Sequence, residues 1–103
     1  MEPIKTIPTG IQLNSEHLNE LKELFREVDI SIIKEVIYFD SWSDYEEMSG
    51  IFIFRGIDES LQLVDFCYCV MAEDNTNRFQ PSEIDEERAI QEIKDMEELI
   101  HRN

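Results

Sequence analysis

The sequence predicts an α+β fold: a three-stranded antiparallel meander flanked by an N-terminal and a C-terminal helix. Apolar residues recur at spacings of three and four near both ends of the chain, whereas the middle is β-branched and aromatic with a period of two. Residues 56–60 (Gly-Ile-Asp-Glu-Ser) form a connection of hairpin length, which joins antiparallel neighbours. At 103 residues the chain has room for a single domain, 1–103, with an expected radius of gyration of about 13 Å.

Residues 1–13 carry Pro3, Pro8 and Gly10 without helical periodicity and read as an extended lead-in. Asn14 or Ser15 can then cap a helix over 15–28. Its apolar stripe is Leu18, Leu21, Leu24, Phe25 and Val28, with Glu16, Glu20, Lys22, Glu23, Arg26 and Glu27 on the other faces. A first strand is expected over 30–39, with Ile33, Ile37 and Phe39 on one side and Val36 and Tyr38 on the other. Ser, Asp and Glu break the pattern over 40–49, which reads as a loop. A second strand follows over 50–54 and a third over 61–71.

Residues 73–81 are polar and end in Pro81, so a loop is expected before a helix over 82–100. Ser82 with Asp85 three residues on approximates a capping box, and Glu83, Asp85, Glu86 and Glu87 suit the positive start of that helix. His101 and Arg102 suit its end. The stripe Ala89, Ile90, Ile93, Met96, Leu99 and Ile100 marks the buried face.

The second strand, Ile51-Phe52-Ile53-Phe54, is apolar on both faces, and the third nearly so. A sheet with one wet face should alternate instead. Two arrangements satisfy this. Either one helix covers each face, or both helices share a face and another molecule, such as a second copy in a homodimer, covers the other.

Twenty-four acidic residues against nine basic ones leave a formal net charge of −15. Such a surface repels nucleic acid and anionic membranes and attracts basic proteins, while also keeping a protein soluble. Direct nucleic-acid binding and membrane association are therefore not expected. The N-terminal residues hold no continuous apolar segment, and no later stretch approaches the ~20 apolar residues of a membrane span, so a cytoplasmic protein is expected.

Cys67 and Cys69 lie two apart in a strand, share a face, and read as reduced, packed thiols. His17 and His101 occupy solvated helix-terminal positions with no local partner. No motif for phosphate, dinucleotide or zinc binding, and no nucleophile elbow, occurs. The acidic run from Asp40 fails the calcium-loop pattern, because Trp42 and Tyr45 stand where a ligand and a glycine are needed. No enzyme activity, metal or cofactor is expected.

As a contact surface the same run is more informative. Asp40, Trp42, Asp44, Tyr45, Glu46 and Glu47 combine rigid aromatic area with carboxylates, and no basic residue lies between Lys34 and Arg55. The opposing reading is a solvated hairpin loop with Trp42 folded onto the core. Glu73 and Asp74 begin a second acidic region that continues through Glu83 and Glu87. In size and acidity the chain resembles bacterial immunity proteins as a broad class, although no motif identifies one family. That resemblance implies an inhibitor whose carboxylates occlude the basic cleft of a nuclease-type toxin. A nucleic-acid mimic directed at a restriction or defence protein and a regulatory homodimer are the alternatives.

Overall fold

A strand that is apolar on both faces must be covered on both, and β2 sets the layering accordingly. A computed structural model describes residues 6–43, 47–69 and 77–101, apart from the side chains of Tyr68 and Cys69. The chain runs through α1 (Ser15–Leu24), a 3-10 turn (Ile30–Ile32), β1 (Ile33–Ser43), β2 (Glu47–Gly56), β3 (Leu61–Cys69), β4 (Ser82–Ile84) and α2 (Glu86–Ile100). The strands form one antiparallel sheet in the order β1-β2-β3-β4. The expected α+β arrangement is present, with a short fourth strand added to the meander.

The two helices take opposite faces of the sheet. Leu21 and Phe25 pack with Val36, Phe52, Phe54, Val64 and Phe66, whereas Ala89, Ile93 and Met96 of α2 pack with Ile37, Ile51, Ile53, Leu61 and Leu63. Alternate residues of β2 thus enter different cores, as the period of two requires. Phe52, Ile53 and Phe54 are wholly buried. The bare apolar face that suggested pairing with a second copy is therefore covered from within the chain.

The two cores differ in chemistry. All six phenylalanines join one network on the α1 face, linked through Phe25–Phe66, Phe25–Phe79, Phe39–Phe52, Phe39–Phe66, Phe52–Phe54 and Phe54–Phe79 centroid separations of 5.0–6.1 Å. The buried residues of the α2 face are aliphatic, with Tyr38 and Trp42 at their margin. A ten-residue helix covers less sheet than a fifteen-residue one, and large rings fill the shortfall.

Several boundaries differ from the sequence expectation, each for a tertiary reason. The first helix stops at Leu24 instead of Val28, because Phe25 turns extended and bridges Asn77. The Asn77 N–H donates to the Leu24 carbonyl at 2.9 Å, and its carbonyl accepts from the Arg26 N–H at 3.1 Å. The last helix starts at Glu86, not Ser82. Ser82–Ile84 pairs with Leu61–Leu63 as β4, and Asp85 caps the helix by accepting from the Arg88 N–H at 2.7 Å.

The face assignment for β1 also changes. Register steps between Ile33 and Glu35 and between Val36 and Tyr38 insert extra residues, and an extra residue reverses the inside–outside alternation. Ile33, Val36 and Phe39 therefore belong with the α1 face, while Ile37 and Tyr38 both belong with the α2 face. The segment expected as a loop over 40–49 is mostly strand: β1 continues to Ser43 and β2 resumes at Glu47. Residues 56–60 do form the expected hairpin turn. Glu59 holds a positive φ of 72°, its carboxylate pairs with Lys34, and its carbonyl accepts from Arg55 at 3.1 Å.

Both histidines have local partners, contrary to expectation. His17 is half-buried, completes a capping box with Asn14 and stacks on Phe39, while His101 lies 3.1 Å from Glu97. Cys67 is reduced but exposed, not packed. Its side chain shares the β3 face of Leu63 and Asp65, beyond the part that α2 buries. Cys69 and residues 70–71 of the expected third strand lie outside the described side chains and residues.

Asn77 fastens α1 to the outer edge of β3. Its Nδ2 donates to the carbonyls of Cys67 (2.8 Å) and Leu24 (3.2 Å), and its Oδ1 accepts from the Cys67 N–H at 3.2 Å. Asn77→Ala should cost about 1–3 kcal/mol, because the Cys67 carbonyl and amide lose their side-chain partner while the Leu24 carbonyl keeps only the backbone N–H of residue 77. Chemical denaturation of the purified variant checks this, and no loss of midpoint would contradict it.

Tyr38 ties β1 to α2 by donating to Glu97 Oε1 at 3.1 Å. Partial burial, reinforced by the Glu97 carboxylate, holds its hydroxyl well above the ordinary tyrosine value. The folded state thus keeps a proton that the unfolded chain releases above about pH 10, so stability falls as pH rises beyond that point. Tyr38→Phe should flatten this alkaline limb. Thermal melts from pH 8 to 11 on both proteins read the difference directly.

Candidate protein-binding surface

Glu20 and Glu23 lie three apart on α1 and therefore on one flank, beside the inward-facing Leu21 and Leu24. That flank faces β1 beyond its second bulge. There Phe39 and Ser41 share the α1 face, opposite Phe52 and Gly50 of β2. Between helix and strand runs a groove of about 340 Å³, lined by Glu20, Glu23, Leu24, Phe39, Asp40, Ser41, Met48 and Phe66. Its floor is apolar and its rim carboxylate.

Gly50 gives the groove its shape. A Cβ at this position would fall against the Cζ of Phe66 and within 2.6 Å of the Asp40 carbonyl oxygen. The Phe66 ring can cover the sheet here because the cross-strand partner has no side chain. Gly50 and Phe66 also line a second groove of about 390 Å³ on the α2 face, with Asp65, Glu92, Asp95, Met96 and Leu99 among its walls. The two grooves lie back to back across the end of the sheet nearest the β1–β2 connection.

Electrostatically the two differ. In the second, Arg88 Nε sits 2.7 Å from Glu92 Oε1 and so offsets part of the charge. Among the described residues, none that lines the first is basic, and no ion pair engages Glu20, Glu23 or Asp40. At the opposite end of the sheet the cations are matched, Lys34 with Glu59 and Arg55 with Glu35. The carboxylates of the first groove do not converge as metal ligands would; among the described residues no cluster could hold a metal ion.

Three of the residues expected at the contact surface are described. Asp40 is exposed and borders the groove only from the edge of β1: its side chain leaves the strand on the face of Tyr38 and Trp42, and its Oδ1 accepts the Ser41 N–H at 2.8 Å. Trp42 is half-buried and packs against the α2-side core. Glu47 is exposed at the start of β2. Asp44, Tyr45, Glu46, Glu73 and Asp74 lie outside the described residues. Glu20 and Glu23 were missed as site residues, although Glu16, Glu20, Glu23 and Glu27 form an acidic stripe at spacings of three and four, apart from Lys22 and Arg26.

No family model matches the chain, and no curated protein or solved structure is significantly similar to it. No helix among the described residues is long and apolar enough to cross a membrane.

Gly50→Ala should destabilise the domain by about 1–3 kcal/mol, because the Phe66 ring is buried among other rings and has little room to move. Phe66→Leu in the same chain should recover part of the loss. Additive losses in the double variant, measured by denaturation, would show that the ring and the glycine are not coupled.

Proposed function

We propose that the chain is an acidic protein-binding inhibitor that neutralises a nuclease-type toxin by occluding its basic cleft. The observation that carries this reading is the first groove: Glu20 and Glu23 flank its apolar floor, and among the described residues no basic side chain lines it and no ion pair engages them. Unneutralised carboxylates attract a basic surface, and the adjoining apolar area favours a partner that remains once it arrives. Nucleases carry such basic surfaces because they hold phosphates.

The shape supports one compact patch. The molecule measures 37 × 35 × 22 Å, a flattened disc instead of the long double row of charges that a nucleic-acid mimic needs. The groove's carboxylates lie on α1 and β1 alone. Trp42, facing the other core, serves the fold more than the interface.

The test is capture from the source cell with the chain as bait, followed by assay of any recovered nuclease. Stoichiometric loss of its activity on addition of the chain supports the proposal, whereas recovery of a restriction or defence protein favours mimicry. Glu20→Gln with Glu23→Gln should slow association about tenfold at low salt while leaving the melting temperature nearly unchanged. An unchanged association rate in that variant would place the contact surface elsewhere.

A further inference from the structure

His17 stands in the first turn of α1, three residues before Glu20, so the two side chains are neighbours on the helix surface. Its ring is half-buried and stacks on Phe39, a floor residue of the first groove, with centroids 6.0 Å apart and planes inclined by 27°. The same ring closes the capping box. The Asn14 N–H donates to His17 Nδ1 at 3.5 Å, while Asn14 Oδ1 accepts the His17 N–H at 2.8 Å. A backbone amide can only donate, so Nδ1 is an unprotonated acceptor in this arrangement and the proton of the neutral ring is on Nε2.

Histidine is the side chain whose charge changes between about pH 5 and 8. A second proton on His17 must go to Nδ1, which then meets the Asn14 amide donor against donor and loses that bond. It also places a cation in the first turn of a helix, where the backbone dipole is positive. The charged groups able to answer it lie on its own helix, Glu16 and Glu20, both exposed. Residues one apart on a helix point away from each other and residues three apart are neighbours, which selects Glu20. The sheet beneath presents Phe39, Phe52 and Phe66, which do not titrate, and the described lead-in, residues 6–13, holds no charged side chain. Asp40 leaves β1 on the opposite face. A cation over an aromatic face is itself favourable, so the ring can remain on Phe39 while it changes partner.

We infer that His17 is a proton-operated switch for the first groove: once protonated, it exchanges the Asn14 amide for the Glu20 carboxylate and so withdraws one of the two carboxylates that flank the groove's floor. The inference rests on the proposed function and adds its regulation. A basic partner and a proton on His17 then compete for the same carboxylate. Linkage makes the competition reciprocal. Acidification weakens the hold on a cationic surface, and a bound cationic surface lowers the pH at which His17 titrates. Binding is therefore strongest with the ring neutral and declines as pH falls through the imidazole range. The other histidine, His101, follows α2 and lies 3.1 Å from Glu97, across the sheet from the groove.

The test compares the chain with its His17→Gln variant, since glutamine at this helix position keeps the reciprocal cap and takes up no proton. The probe is a hexa-arginine peptide, titrated calorimetrically at fixed ionic strength at about pH 7.5 and 5.5, above the ordinary carboxylate range. On that step the unaltered chain should lose about threefold more affinity than the variant, the worth of one exposed ion pair. In the free protein, NMR should show the Asn14 amide and the Glu20 side-chain carboxyl moving with the same midpoint as the His17 ring, and added peptide should lower that midpoint. Equal pH dependence in the two proteins, or Asn14 and Glu20 signals indifferent to the His17 titration, would overturn the switch and leave the inhibitor reading in place. A peptide bound by neither protein at either pH would contradict the groove's preference for a basic partner, and the regulation with it.

Discussion

Burial of β2 on both faces is the constraint from which the rest of the architecture follows. A strand whose successive residues enter different cores cannot lie on a wetted sheet, so the chain must supply cover twice. It does so with one helix from each end of the sequence. The three-stranded meander between them needs only short connections.

The unequal helices explain much of the detail. α1 is short and is held by Asn77, whose backbone and side chain bind both the helix end and the edge of β3. The space it does not cover is filled by phenylalanine rings. Where rings and helix stop, near Gly50, an apolar floor remains exposed beside the acidic flank of α1. The groove is thus the margin of a core, with carboxylates at its lip.

Periodicity made the two helices, the central strands and the 56–60 turn legible, because each buries a face whose spacing the sequence displays. It failed wherever one residue interrupts the period or a distant residue intervenes. The β1 bulges at Lys34 and Ile37 carry no compositional mark, so the two sides of that strand were misassigned. Ser82 looked like a cap because nothing local says that β3 has an edge to fill. Asn77 was one polar residue in a polar stretch. Of the groove, Asp40 was legible from its acidic, aromatic neighbourhood. Glu20 and Glu23 were not, because helix acids facing a groove and helix acids facing water have the same sequence pattern.

The fold is closed on both faces, and in the function proposed above the unmatched charge of the first groove selects the partner. The most direct test of that selection is the association rate with the captured partner as ionic strength rises from about 0.01 to 0.15 M, over which the Debye length shrinks from about 30 to 8 Å. Association should slow steeply while dissociation changes little, as expected when charge governs encounter and close contacts govern lifetime. An association rate indifferent to salt would contradict the claim that these carboxylates choose the partner.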